Sequence, residues 1–148
     1  MSDHIAVRRD TFDVAAELAR LEAMGGGAVA SFVGQVRSDG PDFDALELEA
    51  YPAMAEAALG AIVATARERW PLLGVTLIHR YGRLAVGDRI VLVATASPHR
   101  AASLEACAFL IDWTKTRAPF WKREWRRDGT TVWIEAKPAD EAAAAAWS

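Results

Sequence analysis

Hydrophobic positions in this chain follow two periods, and the places where one gives way to the other mark the predicted elements. In "TFDVAAELARLEAM", Val14, Leu18 and Leu21 recur at helical intervals, and Gly25 to Gly27 stop the pattern. "AVASFVGQVR" follows with the β-branched and aromatic content of a strand. A phosphate loop has a strand before its glycines and a helix after them, so this reversed order argues against one. "RSDGPDF" has loop composition, and in "ALELEAY" Leu46 and Leu48 alternate with Glu47 and Glu49, which predicts a half-buried strand with its acids in water. Pro52 suits a first helical turn, and Ala55, Leu59, Ile62, Val63, Ala66 and Trp70 then share one helical face to about Trp70.

"GVTLIHRYG" and "RIVLVATA" predict two antiparallel strands separated by the turn-rich "RLAVGD". A long helix is predicted from about Pro98 to Lys115, with Ser97 as N-cap and Leu104, Cys107, Ala108 and Ile111 on its core-facing stripe. Strands near "FWKREW" and "TTVWIEA" follow, joined by the Asp-Gly signal of "RRDGT", and the tail "DEAAAAAW" reads as low complexity. Helices and hairpins mix without βαβ regularity. The expected fold is therefore α+β: a single domain over residues 1–148, with a mixed, mainly antiparallel sheet and hairpins packed against helices.

Composition narrows the function classes. The lone cysteine, Cys107, excludes an internal disulfide and a multi-cysteine metal site; in mid-helix on the apolar stripe it reads as a small core residue that keeps its proton. No apolar run approaches eighteen residues and no signal-peptide pattern is present, so the expectation is a cytoplasmic protein without membrane association. The net charge of −3 argues against bulk attraction to nucleic acid, so an anion would have to be captured by a local patch. One such patch exists: "KTRAPFWKREWRR", residues 115 to 127, holds six cations, one acid and three large aromatics.

Lysine is scarce here. Of 17 basic residues 14 are Arg, and the lysines are Lys115, Lys122 and Lys137. Nucleotide composition could leave such a residue; so could a need for an amine that loses its proton when desolvated, as a guanidinium does not. Lys115 falls four residues after Ile111, which extends the apolar stripe and predicts partial desolvation; the plainer role is to stabilise the helix C-terminus. If "FWKRE" is a strand, Phe120, Lys122 and Glu124 share one face, with Trp121, Arg123 and Trp125 on the other. At the opposite end of the helix, His99 and Arg100 occupy a first turn that prefers acids. A bound phosphate or carboxylate would resolve that conflict, as would an Arg in solvent and a His on a backbone carbonyl. His79, within a strand pattern, reads as a structural core histidine. Aromatics mixed with cations also describe a single-stranded nucleic-acid module, although this patch is short and the rest of the chain acidic.

The segments "GAVASFVGQVR", "LELEAYPAMAEAAL", "HRYGRLAVGDRIVLVATASPHRAASLEAC" and "DWTKTRAPFWKRE", in this order and spacing, resemble the large, catalytic subunit of molybdopterin synthase from about Gly27 to Glu135. The resemblance implies an alpha/beta-hammerhead-like fold and a sulfurtransferase that converts cyclic pyranopterin monophosphate to the dithiolene of molybdopterin. The implied sulfur donor is a ubiquitin-like small subunit ending in a Gly-Gly thiocarboxylate. Two large subunits would form a central homodimer, a heterotetramer overall, with neither metal nor cofactor in the site. By the same resemblance Lys115 is the principal catalytic lysine and Lys122 the second, both contacting substrate, with Arg123 and Glu124 adjoining it. Arg37, His99 and Arg100 would hold the phosphate and pterin region, the last two reaching across the dimer, and Gln35 and Val36 would line the site. A scaffold that recruits a ubiquitin-like tail without turnover is a third possibility.

Overall fold

The computed structural model describes residues 3–148. In chain order the elements are β1 (Asp3–Arg8), α1 (Val14–Glu22), β2 (Ala28–Gln35), β3 (Phe43–Glu49), α2 (Pro52–Arg69), β4 (Gly74–Arg80), β5 (Gly82–Ala85), β6 (Arg89–Ser97), α3 (Arg100–Arg117), β7 (Trp121–Arg126), β8 (Thr131–Ile134) and α4 (Pro138–Ala145). The strands form two four-stranded sheets, ordered β1-β4-β6-β2 and β5-β3-β7-β8. Of the described pairs only β1 and β4 run parallel, so the α+β, mainly antiparallel expectation holds.

The first sheet is covered on both faces, and this is why β4 and β6 read as nearly continuous apolar runs. Val75, Leu77 and Val93 join the core made with α2 and α3. Ile78, Leu92 and Ala94 face the other way, onto Leu21 of α1. On α2, Ala55, Leu59, Ile62, Val63 and Ala66 are all buried, and the helix starts at Pro52 and stops before Trp70 as its pattern predicts. Gly26 and Gly27 do more than end a helix. A Cβ on Gly27 would lie 2.4 Å from the Pro98 carbonyl oxygen, so the bare backbone lets this segment press against the start of α3.

Four expectations need correction. β4 and β6 do pair antiparallel, but residues 82–85 between them form β5, which leaves the first sheet and pairs with β3 in the second. Gly82, at φ +99°, makes that exit possible. Ser97 is the last residue of β6 and not an N-cap: its hydroxyl donates to the His99 carbonyl at 2.6 Å and bonds Ser103 Oγ at 2.6 Å. His99 takes the cap position without a side-chain cap bond, and α3 begins at Arg100.

The buried stripe of α3 is also rotated from the expected one. It runs through Ser103, Ala106, Cys107, Phe109, Leu110 and Thr114, while Leu104 is 60% exposed. Finally, Glu47 does not face water freely; its carboxylate accepts from Arg123 Nε at 3.1 Å and Trp125 Nε1 at 2.7 Å.

The Ala-rich tail forms α4, docked against α3 by aromatic contacts. Trp113 Nε1 donates to the Ala144 carbonyl at 3.2 Å, and Trp147 Nε1 donates to Asp112 at 2.7 Å. The Trp147 ring meets Trp70 and Phe109 edge-on, with centroids 5.6 and 5.8 Å away.

Candidate active site

Where β2 ends, α3 ends and β7 begins, the chain lines an open cavity of about 580 Å³. Its walls include Gln35, Val36 and Arg37 after β2, Lys115 on the last turn of α3, and Lys122 and Glu124 on β7. Each is held there by local structure. The β2–β6 register shifts between Gly34 and Gln35, and such a bulge re-aims the side chains that follow. Val36 is then fixed through its backbone, donating to the Asp88 carbonyl at 2.9 Å and accepting from Gly87 N–H at 2.8 Å.

On β7 the strand period sorts the side chains as predicted. Lys122 and Glu124, opposite Leu48 and Leu46 of β3, face the cavity with Phe120. Arg123 is turned to the other side, where it contacts Glu47 at 3.0 Å and Glu49 at 3.3 Å; of the residues grouped by sequence, it does not reach this cavity. The two faces also divide the basic and aromatic stretch 115–127. Trp121 packs edge-on against Tyr51 beside a second cavity, and Trp125 is capped by Arg83 at 4.4 Å, so no continuous stacking platform of the nucleic-acid kind is formed.

Lys115 is more exposed than its place after Ile111 predicts. Lys115 shares a helical face with Leu104 and Ala108, both exposed, so its side chain keeps 45% exposure, and its Nζ lies 4.0 Å from Asp140 of α4. Lys122 is the desolvated amine. Burial pushes its pKa below the ordinary lysine value, the Lys115 charge lowers it further, Asp140 opposes the shift, and Lys137 adds to it.

Three further wall residues lie outside the expected site: His79, expected as a core histidine, Thr114 and Lys137. His79 is buried, donates from Nδ1 to the Arg80 carbonyl at 2.8 Å, and has its pKa pushed down to about 4, chiefly by burial, with the Arg80 carbonyl opposing and the Lys122 charge adding. It is a neutral ring at pH 7, and with Nδ1 donating, Nε2 is left as an acceptor. Its one sequence signal was its place at the end of an otherwise apolar run. Thr114 has a buried hydroxyl with no hydrogen-bond partner. Lys137 completes the lining, so all three lysines of the chain meet at one cavity. The cavity gathers Arg37 and these three lysines against Asp39 and Glu124, an excess of positive charge in a chain of net −3. Such a site can hold two anions close together and offer them an amine that releases its proton unusually easily.

The sequence profile described as MoaE protein matches residues 7–117. A Mesorhizobium japonicum chain described as molybdopterin synthase catalytic subunit is 52% identical over 146 residues, covering 97% of this chain and 92% of its own. The solved structure of the molybdopterin biosynthesis MoaE protein from Burkholderia ambifaria MC40-6 superposes with a TM-score of 0.83 at 46% identity, covering 98% and 97% of the two chains. A chain from the protein-protein complex of subunits 1 and 2 of the molybdopterin-converting factor of Helicobacter pylori 26695 has the same fold, with a TM-score of 0.76 at 19% identity over 93% of this chain and 92% of its own. The chain belongs to the MoaE family of molybdopterin synthase catalytic subunits.

As a MoaE protein the chain falls in an enzyme family, and its mixed α+β architecture is that family's. The profile match ends at the C-terminus of α3, whereas the Mesorhizobium and Burkholderia relatives extend over the segment that carries Lys122 and α4. Within this MoaE chain His99 and Arg100 lie exposed at the start of α3 and outside the cavity. Fifteen residues of helix separate Arg100 from Lys115, roughly 22 Å along the axis. Cys107 is buried, its Sγ 3.8 Å from the Val93 carbonyl, and burial pushes its thiol pKa up to about 11, so it stays a protonated core residue. Among the described residues no group of His, Cys, Asp and Glu is arranged to hold a metal ion, and no helix is long and apolar enough to cross a membrane.

Proposed function

We propose that this chain transfers sulfur to cyclic pyranopterin monophosphate, making the dithiolene of molybdopterin with a thiocarboxylated ubiquitin-like small subunit as donor. One observation carries this reading: Lys115 and Lys122 line a single cavity with Arg37, which is remote from them in sequence, and in that cavity cations outnumber carboxylates. The two proposed reactants are both anionic, a phosphate and a thiocarboxylate, and would repel each other without that compensation. The inert Cys107 fits a sulfur atom that arrives from a partner instead of from this chain.

In each round the donor sulfur bonds to a side-chain carbon of the pterin while a carbon–oxygen bond at that carbon breaks, the oxygen leaving as water or as the released arm of the cyclic phosphate, so that a thioester joins substrate and tail. Water then attacks the acyl carbon, the acyl carbon–sulfur bond breaks, the tail leaves as a carboxylate and the sulfur stays on the pterin; a second donor repeats the sequence. Lys122, whose ammonium is destabilised by burial, is suited to accept and return a proton, while Lys115, held near Asp140 with an ordinary exposed stem, is suited to neutralise the thiocarboxylate and the oxyanion that follows. Gln35, Val36, Arg37 and Glu124 line the substrate side. Arg123 acts from the far face of β7, bracing the strand through Glu47 and Glu49.

His99 and Arg100 can serve the site only from a second copy of the chain, which is the role a homodimer within a cytoplasmic heterotetramer would give them. The experiment combines purified chain, thiocarboxylated small subunit and precursor, and follows product by mass. Dithiolene formation supports the reading; binding of the tail without product would leave a scaffold.

A further inference from the structure

We propose that Lys137 is a third anion-binding residue of this cavity, contacting either the substrate phosphate or the carboxyl end of the donor tail. The inference rests on the sulfur-transfer reading above and adds a residue to it. Lys137 reaches the site by topology. Lys122 pairs with Ile134 across β7 and β8, Ile134 is itself in the wall, and Lys137 follows three residues later, where the chain leaves the sheet to begin α4. The position is braced from the other end of α4, because Ala144 is buried and Trp113 and Trp147 tie the helix to α3.

Lys137 is the N-cap of α4 and its ammonium makes no cap bond there, although Asp140 and Glu141 stand in the turn that follows. A cation at the positive end of a helix dipole is unfavourable, and Ser, Asp or Asn would suit the position better. No carboxylate pairs with it among the described residues, whereas Lys115, on the same cavity, already has Asp140. An exposed, unpaired ammonium at the wall of a cavity that has to hold two anions is a contact waiting for one of them.

The test is steady-state product formation by wild type, Lys137→Ala and Lys137→Arg, varying precursor at saturating thiocarboxylated donor and then the reverse, with circular dichroism melting of each protein. The expected result is a rise of about tenfold in KM for one reactant in Lys137→Ala, with kcat much less affected, and recovery of most of that loss in Lys137→Arg. A shift in KM for precursor identifies the phosphate as the bound group; a shift for donor identifies the tail. Unchanged KM for both reactants overturns the proposal, as does a loss that Arg does not restore and that tracks a lowered melting temperature. If wild type itself forms no product, the sulfur-transfer reading fails and this inference with it, an outcome distinct from an active wild type with an indifferent Lys137→Ala.

Discussion

His79 lies flat against Phe120, with ring centroids 3.8 Å apart and planes 17° from parallel. Phe120 is where the chain enters β7 after Pro119, so this stack joins the end of β4 to the strand that carries Lys122. Burial strips a charged imidazole of its water here and the Lys122 charge adds to the cost, so the ring is neutral.

The depressed His79 pKa has a consequence for stability. The unfolded chain binds a proton near pH 6.5, while the folded chain does so only near pH 4. Stability contributed by the neutral ring is therefore complete above 6.5 and is lost as pH falls towards about 4, by roughly 3 kcal/mol over the full window. Lys122 is the charged group facing the ring, and Arg80 supplies the carbonyl. Denaturant unfolding at pH 7 and pH 4.5 should show this loss in wild type and a much smaller one in His79→Asn; equal losses would contradict it.

Lys122 should titrate below an ordinary lysine. With three lysines in the chain, 13C-dimethylated protein gives few resonances to assign, and their chemical shifts against pH report each amine. Lys115→Ala removes a like charge and should move the Lys122 midpoint back up; Asp140→Asn removes the opposing charge and should move it further down. Lys137, Arg37, Asp39 and Glu124 are the remaining charged groups lining this cavity, with His79 neutral beside them. Because the folded pKa is the lower one, the unfolded chain holds the extra proton, and this site's contribution to stability rises as pH climbs from the folded pKa towards 10.5. A Lys122 midpoint at or above the ordinary lysine value would refute the desolvation argument.

Gly27→Ala should cost about 1–3 kcal/mol, since its new methyl would meet the Pro98 carbonyl and displace the start of α3. Gly60→Ala, in mid-helix on α2 with open space around it, should be neutral or mildly stabilising, and is the matched control in thermal unfolding.

Most of what the sequence revealed was local. α2 was legible because its five buried residues and its proline are all within one helix, and β4 and β6 because burial on both faces leaves an unbroken apolar run. β1 was invisible: its order comes from pairing Asp3 with Val75, and a six-residue strand with polar ends and no adjoining hairpin turn carries no signal of that partner. β5 is four residues long inside turn chemistry. The expected stripe carries Lys115 with Leu104 and Ala108, which are exposed, whereas Ser103 and Thr114 belong to the buried stripe. Ser103 goes inside by hydrogen bonding Ser97 and by accepting Thr95 Oγ1 on its carbonyl. The rarity of lysine points at residues that meet at one cavity, and applied without exception it includes Lys137.

On the proposed function, the scarce amines that meet at this cavity bring two anions together and manage a proton. The most direct test is single-turnover product formation by wild type, Lys115→Ala and Lys122→Ala with thiocarboxylated small subunit and precursor. Both variants should fold and bind the small subunit, yet form dithiolene at least about a hundredfold more slowly. Product formed at the wild-type rate by either variant would contradict the account.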